Sequence, residues 1–212
     1  KSAGLDVLSF AAGEPDFNTP ASICTAAIEA LNRGETKYTP SAGTPALREA
    51  VVQKLKRENG IAASPDEIVV SCGAKHSIIN ALLAIIDPGD EVILFAPYWM
   101  TYADQVQLAG GIPVVVEAGL DQGFVPDLSD VQDAITNRTK AIILNSPSNP
   151  TGGAWTRDQI KGLASLALRF GLWIISDEIY ERLTYGGFQH QSVAALGAET
   201  ASQTITITGC RK

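Results

Sequence analysis

Short apolar runs alternate with longer segments of helical periodicity over most of the chain. Six runs rich in Val and Ile have the length of strands: Ile68–Cys72, Glu91–Phe95, Ile112–Glu117, Ala141–Asn145, Leu172–Ser176 and Thr204–Thr208. Between most of them, apolar positions at helical spacing predict helices over Thr44–Asn59, Lys75–Ile86, Thr101–Ala109, Leu128–Ile135 and Thr156–Phe170. The runs are apolar throughout, which is typical of strands buried on both faces. The pattern therefore predicts an α/β protein, with a three-layer α/β/α arrangement around a mostly parallel sheet.

The first twenty residues differ in composition from the rest of the chain. No segment rich in Pro, Gly or Ser interrupts it between Thr44 and Lys212, so this part is expected to form one domain. In the first twenty, a short apolar stretch is followed by the turn-rich segment Gly13–Phe17. Two interpretations of residues 1–20 are open at this point: they belong to another domain, or they cover a cleft.

Composition narrows the classes of function. Of the 212 residues, 45% are hydrophobic and 18% charged, which excludes a disordered tail and a small disulfide scaffold. A net charge of −7 disfavours nucleic acid as the main partner, and the apolar runs are too short to span a membrane. Three widely spaced cysteines, Cys24, Cys72 and Cys210, fit the free thiols of a cytoplasmic protein, with Cys72 and Cys210 expected in the core.

The two ends of the sequence suggest a piece of a longer protein. The chain begins at Lys1 without an initiator Met, and it stops at Lys212 directly after the last predicted strand. We therefore expect that both ends are cut.

Polar and aromatic residues follow the predicted strands, where open α/β sheets bind their ligands. Gly73-Ala74-Lys75 opens a helix, whose first N–H groups favour an anion such as phosphate, although an ordinary tight turn reads the same way. Pro97-Tyr98-Trp99 follows another strand and suits either stacking on a planar ring or core packing. Asn145–Gly152 holds two Pro and two Asn, so an X-Pro bond there could be cis and an Asn could donate to a ligand.

Two further strand ends carry an acid and an amine. Asp177 ends a buried strand, where a carboxylate needs a cation or hydrogen bonds. Metal ligation and pairing with a protonated ring nitrogen are both open, but no His or further acid at suitable spacing supports a metal. Lys212 follows the last strand, where an amine of lowered pKa could form a Schiff base, although a terminal lysine is usually only solvated. His76 and His190 receive no role.

The set of groups is more informative than its members. An anion cradle, a flat aromatic ring, an amide donor, a buried acid, a phenol and an amine all fall at strand ends of one sheet. A phosphorylated pyridine aldehyde needs this combination, because its phosphate, ring face, phenolate, ring nitrogen and aldehyde each require one of these partners.

Seven segments then carry a family resemblance: Ala11–Phe17 (AAGEPDF), Thr36–Tyr38 (TKY), Ala42-Gly43, Asp87–Val92 (DPGDEV), Pro97–Trp99 (PYW), Asn145–Gly152 (NSPSNPTG) and Ser176–Glu181 (SDEIYE). With them the chain resembles the class I aminotransferases of the aspartate aminotransferase superfamily, which are pyridoxal-phosphate enzymes of fold type I. In detail, these segments resemble those of the bacterial broad-specificity aspartate/prephenate subgroup. The resemblance implies that residues 21–212 are most of the cofactor-binding large domain, incomplete at its C-terminal end, and that residues 1–20 begin the small domain.

The resemblance also implies roles for individual residues. Lys212 would carry pyridoxal 5'-phosphate as an imine and then move a proton, and Asp177 would pair with the pyridine nitrogen. Tyr180 and Asn149 would bind the phenolic oxygen, and Trp99 would stack on the ring. At the phosphate, the resemblance implies binding by Gly73, Ala74 and Lys75. At the substrate, it implies contacts with Gly13, Trp99, Asn149 and Lys75. It also implies a homodimer in which Tyr38 reaches the cofactor of the other subunit.

The expected activity is transamination. The resemblance implies transfer of the amino group of an L-amino acid, aspartate above all, to a 2-oxo acid such as 2-oxoglutarate by a ping-pong route. The alternatives are a prephenate or other broad-specificity aminotransferase, a lyase or synthase using the same cofactor, and a non-catalytic cofactor-binding fragment or sensor. In this chain Arg211 precedes the lysine where the family usually has Ser or Ala, and the family's usual arginines after the lysine lie beyond Lys212. The 212 residues alone are therefore expected to be nearly inactive.

Overall fold

The computed structural model describes residue 13 and residues 17–209. The contacts of the chain separate it into two units, with the boundary between Thr39 and Pro40. The first unit contains one described helix, α1 (Ala21–Asn32), which buries none of its residues. The second unit carries all of the other helices and strands of the described chain. No helix in the described residues has both the length and the apolar character needed to cross a lipid bilayer.

A five-stranded sheet forms the centre of the second unit. Its strands are β1 (Glu91–Ala96), β2 (Ile112–Glu117), β3 (Thr139–Asn145), β4 (Trp173–Asp177) and β5 (Thr204–Ile207). Every neighbouring pair is parallel, and the spatial order is β2-β1-β3-β4-β5. The chain therefore grows outward in two directions from the boundary between β1 and β3, which is a topological switch point.

Helices connect the strands, as parallel pairing requires. The connecting helices are α4 (Thr101–Leu108), α5 (Leu128–Asp133), α6 (Arg157–Phe170) and α7 (Ala198–Ser202), whereas α2 (Pro45–Lys54) and α3 (Ala74–Ile85) precede β1. Local sequence explains where α6 begins and ends, because Thr156 and Gln159 form a reciprocal capping box and Gly171 adopts a left-handed conformation with φ of 67°. Short 3-10 turns occur at Pro65–Glu67, Leu120–Gln122 and Val193–Leu196.

The sheet separates two apolar clusters. Ile93, Ile142 and Ile174 point to one face, where they pack with buried side chains of α5 and α6. Ile143 and Ile175 point to the other face, where they pack with α3 and α4. This alternation confirms the predicted three-layer α/β/α arrangement, because the central strands β1, β3 and β4 bury residues on both of their faces.

The structure differs from the sequence prediction in three elements. The strand predicted at Ile68–Cys72 is wrong: the N–H of Val70 donates to the carbonyl of Ala42, and no ladder forms there among the described residues. The helix predicted over Thr44–Asn59 changes to a π-helical turn at Leu55–Asn59. Helix α1 lies in a segment for which no helix was predicted.

Candidate active site

The carboxyl ends of β1, β3 and β4 carry the polar and aromatic residues that the sequence singled out. Trp99 follows β1, Asn149 follows β3, and Asp177 ends β4. In the register of β3 with β4, Asn145 and Asp177 are direct partners, so the two following loops begin side by side. These loops leave the sheet next to the switch point, where open parallel sheets form a crevice.

Asp177 is a buried carboxylate with donors in place. Its exposed fraction is 3%. The hydroxyl of Tyr102 in α4 donates to Oδ2 at 2.6 Å, and the N–H of Ile179 donates to Oδ1 at 3.1 Å. Burial, followed by the charge of Asp177, raises the pKa of the Tyr102 hydroxyl far above its usual value. Tyr102 therefore stays protonated and remains a hydrogen-bond donor to the Asp177 carboxylate.

Two asparagines connect β4 with the loop after β3. The side-chain amide of Asn145 donates to the carbonyl of Asp177 at 2.9 Å, and its Oδ1 accepts from the N–H of Asn149 at 2.8 Å. The side-chain amide of Asn149 in turn reaches the hydroxyl of Tyr180 at 3.4 Å. The Ser146-Pro147 and Asn149-Pro150 bonds are both cis. The loop thus brings Asn149 and Tyr180 together beside Asp177.

The start of α3 presents open N–H groups. Gly73 precedes the helix with φ of 90°, and the space around its missing side chain is open to 4 Å. The first N–H groups bonded to the Gly73 carbonyl are those of His76 and Ser77. The N–H groups of Ala74 and Lys75 have no acceptor in the described chain, so they are available to an anion at the positive end of the helix.

Trp99 links this helix start to the buried acid. The ammonium of Lys75 lies 4.9 Å from the centre of the Trp99 ring, and Trp99 meets Tyr102 edge to face at 5.4 Å. Gln105 secures the same helix start by donating to the carbonyl of Lys75 at 2.8 Å. A continuous series of contacts therefore runs from Lys75 through Trp99 and Tyr102 to Asp177.

A small cavity opens beside this series. Tyr98, Tyr102, Asn145 and Ser148 are among its lining residues, and its volume of about 20 Å³ is sufficient for one water molecule. The lining includes the polar groups of Tyr102, Asn145 and Ser148, so a water there would have partners.

Not every predicted site residue belongs to the described part of the second unit. Gly13 and Tyr38 belong to the first unit, and both are exposed. Lys212, Arg211 and Cys210 lie outside the described residues. Gly73, Ala74, Lys75, Trp99, Asn149, Asp177 and Tyr180 all lie in the second unit, at the strand and helix ends described above.

Sequence reasoning missed several residues around the site. Tyr102 and Gln105 gave no separate signal, although a buried Tyr on a helix facing a buried Asp needs a polar partner. Cys72 is exposed, so its assignment to the core is wrong. His190, which received no role, contacts the carboxylate of Glu178 at 3.0 Å.

Acidic residues do come together behind β4, although the sequence gave no support for a metal. Ligand atoms of Glu178, Glu181 and His190 all lie within 4.8 Å of one another. The ammonium of Lys54 is already paired with Glu181. Both carboxylates therefore already have partners within the protein, since Lys54 pairs with Glu181 and protein donors bind Glu178. Nδ1 of His190 is buried and has no hydrogen-bond partner among the described residues.

The comparisons with known proteins all point to the same family. The family model described as "Aminotransferase class I and II" matches residues 5–212. Aspartate aminotransferase of Bacillus sp. (strain YM-2) is 48% identical over 212 residues, and aspartate/prephenate aminotransferase of Thermus thermophilus is 46% identical over 209 residues. A solved structure of aspartate aminotransferase from Thermus thermophilus with maleate superposes with a TM-score of 0.94 at 45% identity.

These matches cover nearly all of the chain but only part of each relative. The alignment to the Bacillus protein takes in 100% of this chain and 54% of the relative, and that to the Thermus protein takes in 99% and 53%. The solved structure is covered to 54% by the whole of this chain. The chain therefore spans about half the length of the relatives it matches.

Proposed function

Because the chain belongs to the class I and II aminotransferase family, we propose that the protein of which it is part transfers an amino group from an L-amino acid to a 2-oxo acid. The proposed cofactor is pyridoxal 5'-phosphate, and the proposed route is ping-pong. The observation that carries this proposal is the buried, hydrogen-bonded Asp177 beside the Asn149–Tyr180 pair and the open start of α3.

The donors and acceptors fit the proposed cofactor group by group. The free N–H groups of Ala74 and Lys75 suit its phosphate, and the open space at Gly73 allows a close approach. Trp99 offers an aromatic face near the same helix. A buried anion, Asp177, suits a protonated ring nitrogen, because such a charge is stable in the interior only with cations or donors around it.

Each residue then has a physical task. When bound, pyridoxal phosphate acts as an electron sink for the carbanion formed at the substrate Cα. Asp177 would keep a proton on the ring nitrogen, and Tyr102 would donate to Asp177 and orient it. Tyr180 and Asn149 would hydrogen-bond the phenolic oxygen of the cofactor. Lys212 is proposed to hold the cofactor covalently through Nζ and to carry the proton from the substrate Cα.

The proposed substrates are aspartate and 2-oxoglutarate. The names of the relatives support aspartate, and the name of the Thermus relative favours prephenate as a second oxo acid. Asn149, Trp99, Lys75 and Gly13 are proposed as the residues that bind the substrate. We also propose a homodimer in which Tyr38 of one subunit reaches the cofactor of the other.

Replacement of Asp177 by Asn tests the proposal in the protein that contains this chain. L-aspartate should change the absorption of the bound cofactor, 2-oxoglutarate should restore it, and oxaloacetate and glutamate should form in equal amounts. Asp177→Asn removes the negative partner of the ring nitrogen, so kcat should fall by roughly 100-fold or more. Cofactor binding, measured by fluorescence titration, should weaken much less.

The matched control is Asp158→Asn, an exposed acid in the first turn of α6 that pairs with Lys161. Its kcat should equal that of the wild type. If aspartate instead yields a product other than its oxo acid, a lyase or synthase reaction replaces transamination. If the wild type does not bind pyridoxal phosphate, the proposed function is wrong.

A further inference from the structure

Glu178 is a buried carboxylate for which the proposed chemistry has no use. Its exposed fraction is 1%, and it follows Asp177 directly. Ser176 and the N–H of Val193 donate to Oε1 at 2.9 and 3.3 Å, and Ser192 donates to Oε2 at 2.6 Å. Val193 belongs to the cluster on the α6 side of the sheet, whereas Tyr102 belongs to the cluster on the other side. The two consecutive acids therefore point to opposite faces.

The network around Glu178 continues to a second acid in the same turn. The side-chain amide of Asn59 donates both to Ser192 Oγ at 2.9 Å and to Glu181 Oε2 at 2.6 Å. Lys54 pairs with the other oxygen of Glu181 and also donates to Asn59 Oδ1 at 2.7 Å. These side-chain contacts therefore attach the π-helical turn after α2 to the turn after β4.

Tyr180 stands between these two anchored acids. The N–H of Glu181 donates to the carbonyl of Glu178 at 3.0 Å, and the N–H of Leu183 donates to the carbonyl of Tyr180 at 2.8 Å. Two successive tight turns are therefore fixed at residues 178 and 181, and the residue that carries the phenol lies between the fixed points. A short segment held at both ends has little freedom, so the network limits where the Tyr180 hydroxyl can lie.

We propose that Glu178, Ser192 and Asn59 are positioning residues for Tyr180, setting its hydroxyl toward Asn149 and the proposed cofactor. This inference rests on the proposed function, because Tyr180 has its task only in a cofactor site. The hydrogen bonds described above for Glu178, Ser192 and Asn59 run to one another, to Glu181 and to nearby residues. Glu178 and Glu181 lie on either side of Tyr180 along the chain, so the effect of the network on the reaction is expected at the Tyr180 hydroxyl.

The experiment uses the protein that contains this chain and two variants that break the network, Ser192→Ala and Asn59→Ala. In the cofactor-free protein, amide hydrogens of residues 179–183 should exchange about fivefold faster or more, because the turn loses an anchoring donor. Once the cofactor is bound, its absorption reports its protonation. The pH at which half of the bound cofactor is deprotonated (the pH midpoint) should rise by roughly 0.5 unit. The rise is expected because a well-placed Tyr180 hydroxyl favours the deprotonated form of the bound cofactor.

A third variant separates positioning from general loosening. Tyr180→Phe removes the hydroxyl, so adding Ser192→Ala to it should shift the midpoint no further. Ser165→Ala, an exposed serine in α6, is the matched control and should change neither exchange nor midpoint.

The outcomes distinguish this inference from the proposed function. Unchanged exchange in residues 179–183, or a midpoint shift that persists in the Tyr180→Phe background, overturns the positioning role even if cofactor binds. Should Ser192→Ala fail to fold, Asn59→Ala decides the question alone. Failure of the wild type to bind pyridoxal phosphate refutes the proposed function, and with it the task assigned to Tyr180.

Discussion

Tyr102 and Asp177 form a buried donor–acceptor pair between α4 and the end of β4. Tyr102→Phe removes the hydroxyl and leaves the carboxylate with one charge-assisted donor fewer. The free energy of unfolding of the cofactor-free protein should therefore fall by about 1.5–3 kcal/mol at pH 7. Urea denaturation followed by circular dichroism measures this change.

An exposed tyrosine provides the comparison for this substitution. Tyr185 is largely solvated, so Tyr185→Phe should leave the free energy of unfolding within about 0.5 kcal/mol of the wild-type value. Equal stabilities of Tyr102→Phe and Tyr185→Phe would mean that the short bond to Asp177 contributes nothing net.

Individual site residues were predictable where local sequence is unusual. Asp177 stands out because a charge directly after an apolar run must be stabilised, and Asn149 stands out in a loop crowded with Pro and Asn. The partner of Asp177, Tyr102, lies 75 positions away and is an ordinary aromatic residue in a helix. Ser192 and His190 were missed although they lie only 14 and 12 positions from Glu178, because the irregular segment that separates them from it has no periodic pattern that would indicate the contact.

At the scale of elements, an ion pair between the buried Glu91 and the exposed Arg138 joins the start of β1 to the turn before β3. Glu91 accepts hydrogen bonds from Thr136 and from Arg138, which lies 2.6 Å away. The bond from the Thr136 hydroxyl holds the pKa of the Glu91 carboxyl below its usual range; burial opposes this effect and the charge of Arg138 supports it.

This lowered pKa predicts a pH-dependent contribution to stability. Because the folded state binds the proton of Glu91 more weakly than the unfolded state, the stabilisation is complete above the ordinary pKa of 4.5 and is lost as pH falls through the folded-state value. Glu91→Gln should thus lower the free energy of unfolding by about 1–3 kcal/mol at pH 7. The difference from wild type should shrink below about pH 4.5, as measured by urea denaturation at several pH values.

Glu117, at the exposed end of β2, serves as the reference acid for this series. Glu117→Gln should show no comparable loss at pH 7. A Glu91→Gln defect that stays constant down to pH 3 would contradict the role of the ionised pair.

Elements were predictable to the extent that their signals are local. The bounds of helix α6 were predictable from Thr156 and Gln159, which form hydrogen bonds at its first turn, and from Gly171, which ends it. The run at Ile68–Cys72 has strand composition, but a strand also needs a neighbour, and composition says nothing about pairing. The π-helical turn at Leu55–Asn59 was missed because one wider turn barely changes a period of 3.6 residues.

For the whole molecule, the two units differ in how much they bury. Residues 17–39 contain the exposed apolar side chains Ile23, Ile28 and Leu31 on α1, whereas both faces of the sheet in the second unit are covered. A twelve-residue helix with no buried face is marginal in water. Trypsin should therefore cut the 212-residue chain first after Arg33 or Lys37.

Mass spectrometry of a short digestion time course tests this order of cleavage. The first products should begin at Gly34 or Tyr38, and cleavage after Arg169, at the end of α6, should appear later. Simultaneous cleavage at all three positions would contradict a folded second unit.

The architecture was predictable from the rhythm of the sequence, but the order of its strands was not. Alternating strands and helices predict a parallel sheet. The topological switch point between β1 and β3 explains why the site lies there. Nothing in the composition of β1 identifies it as the strand flanked by both β2 and β3. The side-by-side arrangement of Asn145 and Asp177 likewise emerges only from the register of β3 with β4.

The opposite orientation of Asp177 and Glu178 has a consequence for how β4 can vary through evolution. Exchange of one aliphatic residue for another at Ile174 or Ile175 preserves both faces of the strand. Deletion of one of these codons would also leave an apolar strand, but it would turn Glu178 toward Tyr102 and remove Asp177 from that side. Aliphatic substitutions are therefore tolerated along this segment, whereas insertions and deletions of single residues are not.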